Sequence, residues 1–359
     1  MKRIFTCLLV LVMILAVLGG CQSQNVASSG TDIPDVNVPN ENPANTPEVT
    51  PEETPATDPE PIEEPVTIRL AGLKGPTTMG MVKFLDDVEK GLSAVDCDFT
   101  LAANIDEVSP KLIKGELDIA AVPANLASVV YNNTDGAIQL LAINTLGVTY
   151  IVDTGDTVHS VEDLRGQTIY SPGKGTVVEY TLRYILQSNG LDPDKDVTME
   201  WKSEATEVVA ALNNGGGIAM LPQPFVTVAQ TNIEGLRVAL DLVAEWDALD
   251  SGCVFVTGVL AVRREFAEKY PQQLATFLDE YKISMEYANT NITETAQLVG
   301  QYDIVKAPIA EKALPYCNIK YYEGAEMKSV IEGYFKVLYD QNPNSVGGAL
   351  PGDDFYYSR

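Results

Sequence analysis

The sequence predicts a two-lobed α/β protein, each lobe a mostly parallel sheet flanked by helices, with two hinge crossings between them. Three observations predict it. A strand–helix–strand–helix–strand–helix order that starts at Thr67 recurs at Thr168. In both copies a proline, Pro123 or Pro222, stops the third strand. After the second copy, a long apolar strand from Val254 to Val262 leads into amphipathic helices that can return the chain to the first lobe.

The first copy opens with Thr67-Ile68-Arg69-Leu70, which alternates polar and apolar residues as a half-buried strand does. A loop holding Lys74-Gly75 and Thr77 follows. Met81, Leu85, Val88 and Leu92 then recur at helical spacing, and Gly91 marks the helix end. Asp98 to Leu101 is a second strand, Glu107-Val108 opens a second helix ending near Gly115, and Ile119 to Pro123 is the third strand, with a helix after it.

The second copy runs in step. Thr168-Ile169-Tyr170 is a strand, Lys174-Gly175-Thr176 the loop, and Val178, Leu182, Ile185 and Leu186 the helix, ended by Asn189-Gly190. Asp196 to Met199 is the second strand, Glu207-Val208 opens the second helix, and Ile218 to Pro222 is the third strand. In sheets of this kind ligands sit beyond the carboxyl ends of the strands, so the loops of two facing lobes meet in one cleft.

Strand candidates at Gln139–Asn144 and Val148–Val152 close the first copy, and Leu236–Leu242 closes the second. Near the C-terminus Phe266, Tyr270, Leu274, Phe277, Leu278 and Tyr281, and then Tyr334, Phe335, Leu338 and Tyr339, keep helix faces apolar. The simplest assembly crosses between lobes near Asp153–Val161 and again near Glu245–Val256. Lobe I is then 67–155 plus 255–359, and lobe II is 156–254. Two crossings make a hinge.

The chain's start predicts its compartment. Lys2 and Arg3 precede a mostly apolar run from Ile4 to Leu18, a charged and then a hydrophobic region too short for a comfortable membrane span. Leu18-Gly19-Gly20-Cys21 resembles a lipobox, so residues 1–20 are expected to be a signal peptide and Cys21 the lipidated N-terminus, anchored on the extracytoplasmic face of the cell membrane. An ordinary signal peptide with a chance cysteine is the alternative. Residues 22–66 hold nine prolines and ten acidic residues with no Lys, Arg or aromatic residue. Such a stretch buries too little to fold, and is expected to be an extended acidic tether.

About 290 residues remain for the two lobes. Of the net charge of −26, the tether supplies −10 and the signal segment +2, which leaves the folded part at about −18. That argues against a nucleic-acid partner, which favours a basic face. Cys97, Cys253 and Cys317 are widely spaced with no CxxC, so neither a metal nor a redox site is expected. One disulfide with a free thiol, or three thiols, both fit.

Four stretches carry a resemblance to a known family: Leu73-Lys74-Gly75-Pro76-Thr77-Thr78, Asp118 to Asn125, Asp163 to Ile169, and Met220-Leu221-Pro222-Gln223-Pro224. With them the chain, from about Val66 to its end, resembles the type II periplasmic-binding-protein fold, and within it the group binding thiamine pyrimidine precursors, alkanesulfonates, taurine and related solutes. The resemblance implies a small-molecule solute and, as partners, the permease and ATPase subunits of an ABC importer. The cysteine cluster of some thiamine-precursor relatives is absent here. No cofactor is expected, and the protein is expected to be a monomer.

Candidate ligand residues follow from the paired loops. Lys74-Gly75 and Gly173-Lys174-Gly175 both lie between a strand and a helix start, where glycine allows close backbone approach and unpaired N–H groups favour an anion. Thr77, Thr78 and Thr176 add hydroxyls. Asn125 and Gln223 stand just past the proline-stopped strands and offer amides from opposite walls; helix capping serves equally for Asn125. Asn144 and Thr145 follow a strand of the first lobe. Met79 opens a helix and is expected to look into the cleft, and Trp246 is expected to stack on or cover a solute.

An enzyme fits poorly. His159 is the only histidine and lies in a connection, and there is no G-x-S-x-G, H-E-x-x-H or P-loop, so no catalytic residue is named. A ligand sensor for a membrane receptor needs the same closing cleft as a transport protein. For the solute, a small anion such as a sulfonate is favoured by the Lys-Gly loops. A planar heterocycle, such as a vitamin precursor, is the alternative that aromatics and acidic lobes suggest.

Overall fold

A computed structural model describes residues 66–359; these lie within one compact unit, Glu60–Arg359. The expected signal peptide, Cys21 and all of the tether but Val66 fall outside the described residues.

In the first lobe the chain runs β1 (Thr67–Leu73), α1 (Pro76–Met79), α2 (Val82–Glu89), β2 (Asp96–Ala102), α3 (Ser109–Ile113), β3 (Ile119–Pro123), α4 (Ala124–Asn133) and β4 (Ile138–Leu146). The second lobe holds β5 (Thr149–Asp153), β6 (Thr168–Ser171), α5 (Val177–Ser188), β7 (Thr198–Trp201), α6 (Ala205–Gly215), β8 (Ile218–Pro222), α7 (Phe225–Asn232), β9 (Arg237–Asp241) and α8 (Leu242–Ala248). The chain returns through β10 (Val256–Arg263), α9 (Arg264–Lys269), α10 (Pro271–Thr290), α11 (Ile292–Gln301), α12 (Ala307–Ala313), β11 (Ile319–Glu323) and α13 (Gly324–Gln341).

The repeat is real in space. One sheet has the order β11-β4-β10-β3-β1-β2 and the other β7-β6-β8-β5-β9. The repeated strands therefore lie as β2-β1-β3 and β7-β6-β8, in parallel pairs with matching register: Leu70 stands beside Ile119, and Ile169 beside Ile218. Each inner strand is apolar on both faces because helices cover both. Ile119 and Ala121 enter the cluster beneath α2 and α10, while Ala120 and Val122 enter the one beneath α4 and α13.

The sheets are mixed in direction: β11 runs against β4 at the sheet edge, and two other exceptions share a physical cause. β5 and β10 run against their neighbours β8 and β3. Each is the first strand after a crossing. A strand that enters a lobe at the cleft edge must run away from the cleft, whereas the repeated strands run toward it.

This pairing moves the first crossing. β5 bonds to β8 and β9, so Thr149–Asp153 belongs to the second sheet. The chain leaves the first sheet at Gly147-Val148, ahead of the crossing expected at Asp153–Val161, and lobe II starts near Thr149 and not at 156. Gly147 is required there, since a Cβ would lie 2.5 Å from the Phe255 ring and 2.7 Å from Val243. The return occupies the stretch between Ala248 and Val256, and Val256 pairs with Leu146. The two crossings thus lie side by side.

Candidate functional site

A cavity of about 320 Å³ opens between the lobes. Its walls are the carboxyl ends of the repeated strands: Leu73 and Lys74 at the end of β1, Ala103 to Asp106 after β2, Pro123 ending β3, Pro172 to Lys174 after β6, Lys202 to Glu204 after β7, and Pro222 ending β8. This is the crevice that two facing α/β sheets create.

Of the residues expected to hold a ligand, Lys74, Gly173, Lys174 and Thr176 line this cavity. The two loops are built alike. The Thr78 hydroxyl donates to the Leu73 carbonyl at 2.6 Å, and the Thr176 hydroxyl donates to the Gly173 carbonyl at 2.6 Å. In the first, a threonine of α1 ties back to Leu73, the last residue of β1; in the second, the N-cap threonine of α5 closes back on Gly173 beside Lys174. Gly75 is buried at the start of α1, and no atom stands within 4 Å of where a Cβ would be, so its backbone is bare on that side.

The start of α5 differs from the sequence expectation. The Gly175 N–H is not unpaired: it donates to Glu179 Oε2 at 2.8 Å. Thr176 caps the helix by accepting from the Val178 N–H. A carboxylate of the chain itself therefore occupies part of the positive end of this helix. Glu179 pairs in turn with Arg183, 3.1 Å away, which it shares with Asp194 at 2.6 Å. Positive charge at the cavity comes from lysines. Lys74, Lys174 and Lys202 face Asp106 and Glu204. Lys202 is 2.7 Å from Glu200, whose hydrogen bond raises its pKa, and Lys74 is 3.6 Å from the exposed Asp303. Lys174 has no ion pair among the described residues.

Other expected residues stand behind the cavity. Thr77, Asn144 and Thr145 are buried under the α1 loop. The Asn144 amide nitrogen donates to the Thr77 carbonyl at 3.4 Å, and the Thr145 hydroxyl donates to Asn144 Oδ1 at 3.0 Å. Asn125 is fully buried and donates to the carbonyls of Gly175 and Ser345, both at 3.0 Å. Gln223 accepts from the Thr227 hydroxyl at 2.9 Å. It lines a separate open groove of about 740 Å³ with Tyr150, Asp241 and Tyr316. That groove has more volume, but it lies away from the ends of β1, β2, β6 and β7 and holds neither Lys-Gly loop. Burial and the nearby Asp241 push the Tyr150 phenol up to about 12.

Two expectations are corrected. Met79 does not face the cleft: α1 is one turn long with all its residues buried, and Met79 packs 3.9 Å from the buried Cys317 thiol. Trp246 is fully buried and covers no solute. Its ring sits 4.9 Å from Tyr184, 5.8 Å from Phe255 and 5.4 Å from Tyr334, and its N–H donates to the Cys253 carbonyl at 2.8 Å. It is the centre of an aromatic cluster that joins the lobes beside the crossings.

The loops after β2 and β7 were missed. Asn104 to Asp106 and Lys202 to Thr206 line the cavity from opposite lobes. The repeat held the signal, because these loops are equivalent between copies. Cys97, Cys253 and Cys317 are all free thiols, and burial pushes the Cys97 thiol up to about 12. Among the described residues no group of His, Cys, Asp or Glu is arranged to hold a metal, and no helix is long and apolar enough to cross a membrane.

Comparison with known proteins gives the family and the fold. Residues 76–302 match the family of phosphonate periplasmic substrate-binding proteins of ABC transporters. No curated protein sequence matches the chain. Among solved structures, an ABC transporter protein from Parabacteroides distasonis superposes with a TM-score of 0.67 at 24% identity, covering 82% of this chain and 99% of that one. The periplasmic aliphatic sulphonate binding protein SsuA from Escherichia coli gives 0.66 at 16% identity, covering 82% and 93%. The periplasmic nitrate-binding protein NrtA from Synechocystis gives 0.55 at 14%, covering 74% and 75%. These likenesses show the two-lobed fold, and the match over 76–302 shows more: the chain belongs to the phosphonate family of periplasmic substrate-binding proteins, the solute-binding components of ABC importers.

Proposed function

We propose that the protein binds a small organic oxyanion, a phosphonate or sulfonate, in the cavity between its lobes and delivers it to an ABC permease. The observation that carries this reading is the lysine content of the cavity. In a folded part of net charge about −18, three lysines converge on one space against two carboxylates. An oxyanion is the solute that repays such an arrangement, because charge-assisted hydrogen bonds to ammonium groups are about twice as strong as neutral ones. Asn104, Ser203 and Thr206 add neutral polar groups beside the lysines. A planar heterocycle is disfavoured, since Trp246 is spent in the core and Phe225 is the one aromatic ring of the lining. The protein acts without catalysis and as a monomer, held at the extracytoplasmic face of the membrane by lipid on Cys21.

The test is to denature the purified protein, identify any released small molecule by mass spectrometry, and titrate the refolded protein calorimetrically. Methylphosphonate, methanesulfonate, nitrate and thiamine form the panel. Stoichiometric binding of a phosphonate or sulfonate supports the reading. Thiamine binding alone, or no binding by any member and no released anion, overturns it. For the anchor, metabolic labelling with a radioactive fatty acid is expected to mark the wild type and not Cys21→Ala.

A further inference from the structure

We propose that Asn125 is a latch between the lobes, a positioning residue that fixes the Lys174-Gly175-Thr176 loop in its place at the cavity. This rests on reading the cavity as the solute site, but its test does not need a solute. Asn125 lies in the first turn of α4, on lobe I, and is fully buried. Its amide nitrogen has two hydrogens, and both are spent. One goes to the Ser345 carbonyl at 3.0 Å, and the other to the Gly175 carbonyl of lobe II at 3.0 Å.

The Ser345 side of this bridge is rigid. It belongs to a 3₁₀ turn, Pro343–Val346, pinned to α4 by bonds from the Ser128 hydroxyl (2.8 Å) and the Asn132 amide (2.7 Å) to the Val346 carbonyl. The Ser345 hydroxyl also donates to the Leu338 carbonyl of α13 at 3.0 Å. Asn125 is thereby held on lobe I and reaches lobe II with a single N–H. Gly175 is held from its own lobe by Glu179. The loop between the two cavity-lining residues Lys174 and Thr176 is thus fixed from both lobes at one residue.

The chemistry of the position is narrow. Two carbonyl oxygens converge on one group, so only a side chain that presents two N–H bonds fits. The amide oxygen, Oδ1, is buried without a partner, and an unpaired buried acceptor costs at least as much as one hydrogen bond contributes. The latch therefore adds position more than net energy. Parting of the lobes breaks the Gly175 bond and lets water reach Oδ1, so the arrangement can switch at small cost.

The test is hydrogen exchange at the amides of 173–178 in the full folded protein without added solute, expressed as protection relative to the intrinsic rate at each pH. Asn125→Asp sets a carboxylate against two carbonyls, so at neutral pH protection is expected to fall at least tenfold. On acidification the carboxyl is protonated and again offers one O–H, so protection is expected to return in part. The charged groups nearest the loop, Lys174 and Glu179, are common to wild type and variant, and wild-type protection is the reference at each pH. Asn132→Ala, which loosens the same 3₁₀ turn but leaves both Asn125 bonds in place, is expected to lower protection at 173–178 far less than Asn125→Asp does. Unaltered protection in Asn125→Asp, no recovery in acid, or an equal loss in Asn132→Ala would each overturn the latch. Failure of every solute to bind would overturn the functional reading and leave these outcomes standing.

Discussion

The hydroxyl of Thr181 on α5 meets the hydroxyl of Tyr334 on α13 at 2.9 Å, and both side chains are buried where one lobe packs on the other. Removing either partner strands the other without water. Thr181→Val and Tyr334→Phe are each expected to cost about 1–3 kcal/mol. The double variant is expected to cost less than the two combined, because it leaves no orphan. Urea melts of the four proteins give the cycle, and strict additivity would mean the pair does not couple.

The lysines of the cavity make binding of an oxyanion depend on charge. Lys174→Ala is expected to weaken the affinity for the identified anion roughly 10-fold or more, by the size of a charge-assisted hydrogen bond. Lys74→Ala is expected to act in the same direction, and the double variant to flatten the salt dependence of binding. Calorimetry at two ionic strengths checks all three. Affinity unchanged in the double variant would remove the charge argument.

Glu179 works against the same anion. Its carboxylate holds the Gly175 N–H, so Glu179→Gln is expected to raise anion affinity several-fold by removing a like charge near the cavity. The cost is a weaker hold on the helix start, expected as a loss of about 1 kcal/mol in stability. A drop in affinity would show that the ordering of the loop outweighs the repulsion.

Asp153 predicts an acid dependence. Its carboxylate is buried, which by itself raises the pKa. The N–H groups of Thr157, Gly155 and Val158 and the Thr157 hydroxyl outweigh this and hold it below the ordinary carboxylate range. Arg237, 3.0 Å away, completes the site. A group whose folded pKa is depressed stabilises the fold above its unfolded pKa and loses that contribution as pH falls toward the folded one. Stability is therefore expected to decline below about pH 4, near the unfolded value, and Asp153→Asn is expected to flatten that part of the profile. Denaturant midpoints between neutral and acid pH measure it. An equal slope in both proteins would assign the acid sensitivity elsewhere.

Much of this was legible because the repeat is carried by local signals. A strand, a Lys-Gly turn, a helix and a proline-stopped strand each follow from a few neighbouring residues, and doubling them located both halves of the cleft. What stayed illegible depends on contacts between distant residues. β4 and β5 are two apolar strands with only Gly147 and Val148 between them, and nothing local says which sheet the second will join. Met79 and Trp246 looked available because they flank loops. Their burial is decided by Cys317 and Tyr334, far along the chain. Asn125 was legible as a polar group near the cleft, but not the two carbonyls that claim it.

The place of β10 between β3 and β4 sets an order of assembly. Both of those strands pair with β10, so the first sheet has a gap at its centre until Val256–Arg263 has been made and delivered. The second sheet draws its strands from one uninterrupted stretch, Thr149–Asp241, and its pairings span shorter loops, which close faster. A nascent chain emerging from its N-terminus therefore completes lobe II first. Lobe I waits for the chain's last third, exposing the apolar faces of β3 and β4 meanwhile. That interval is when the protein is most open to aggregation or to a holding chaperone.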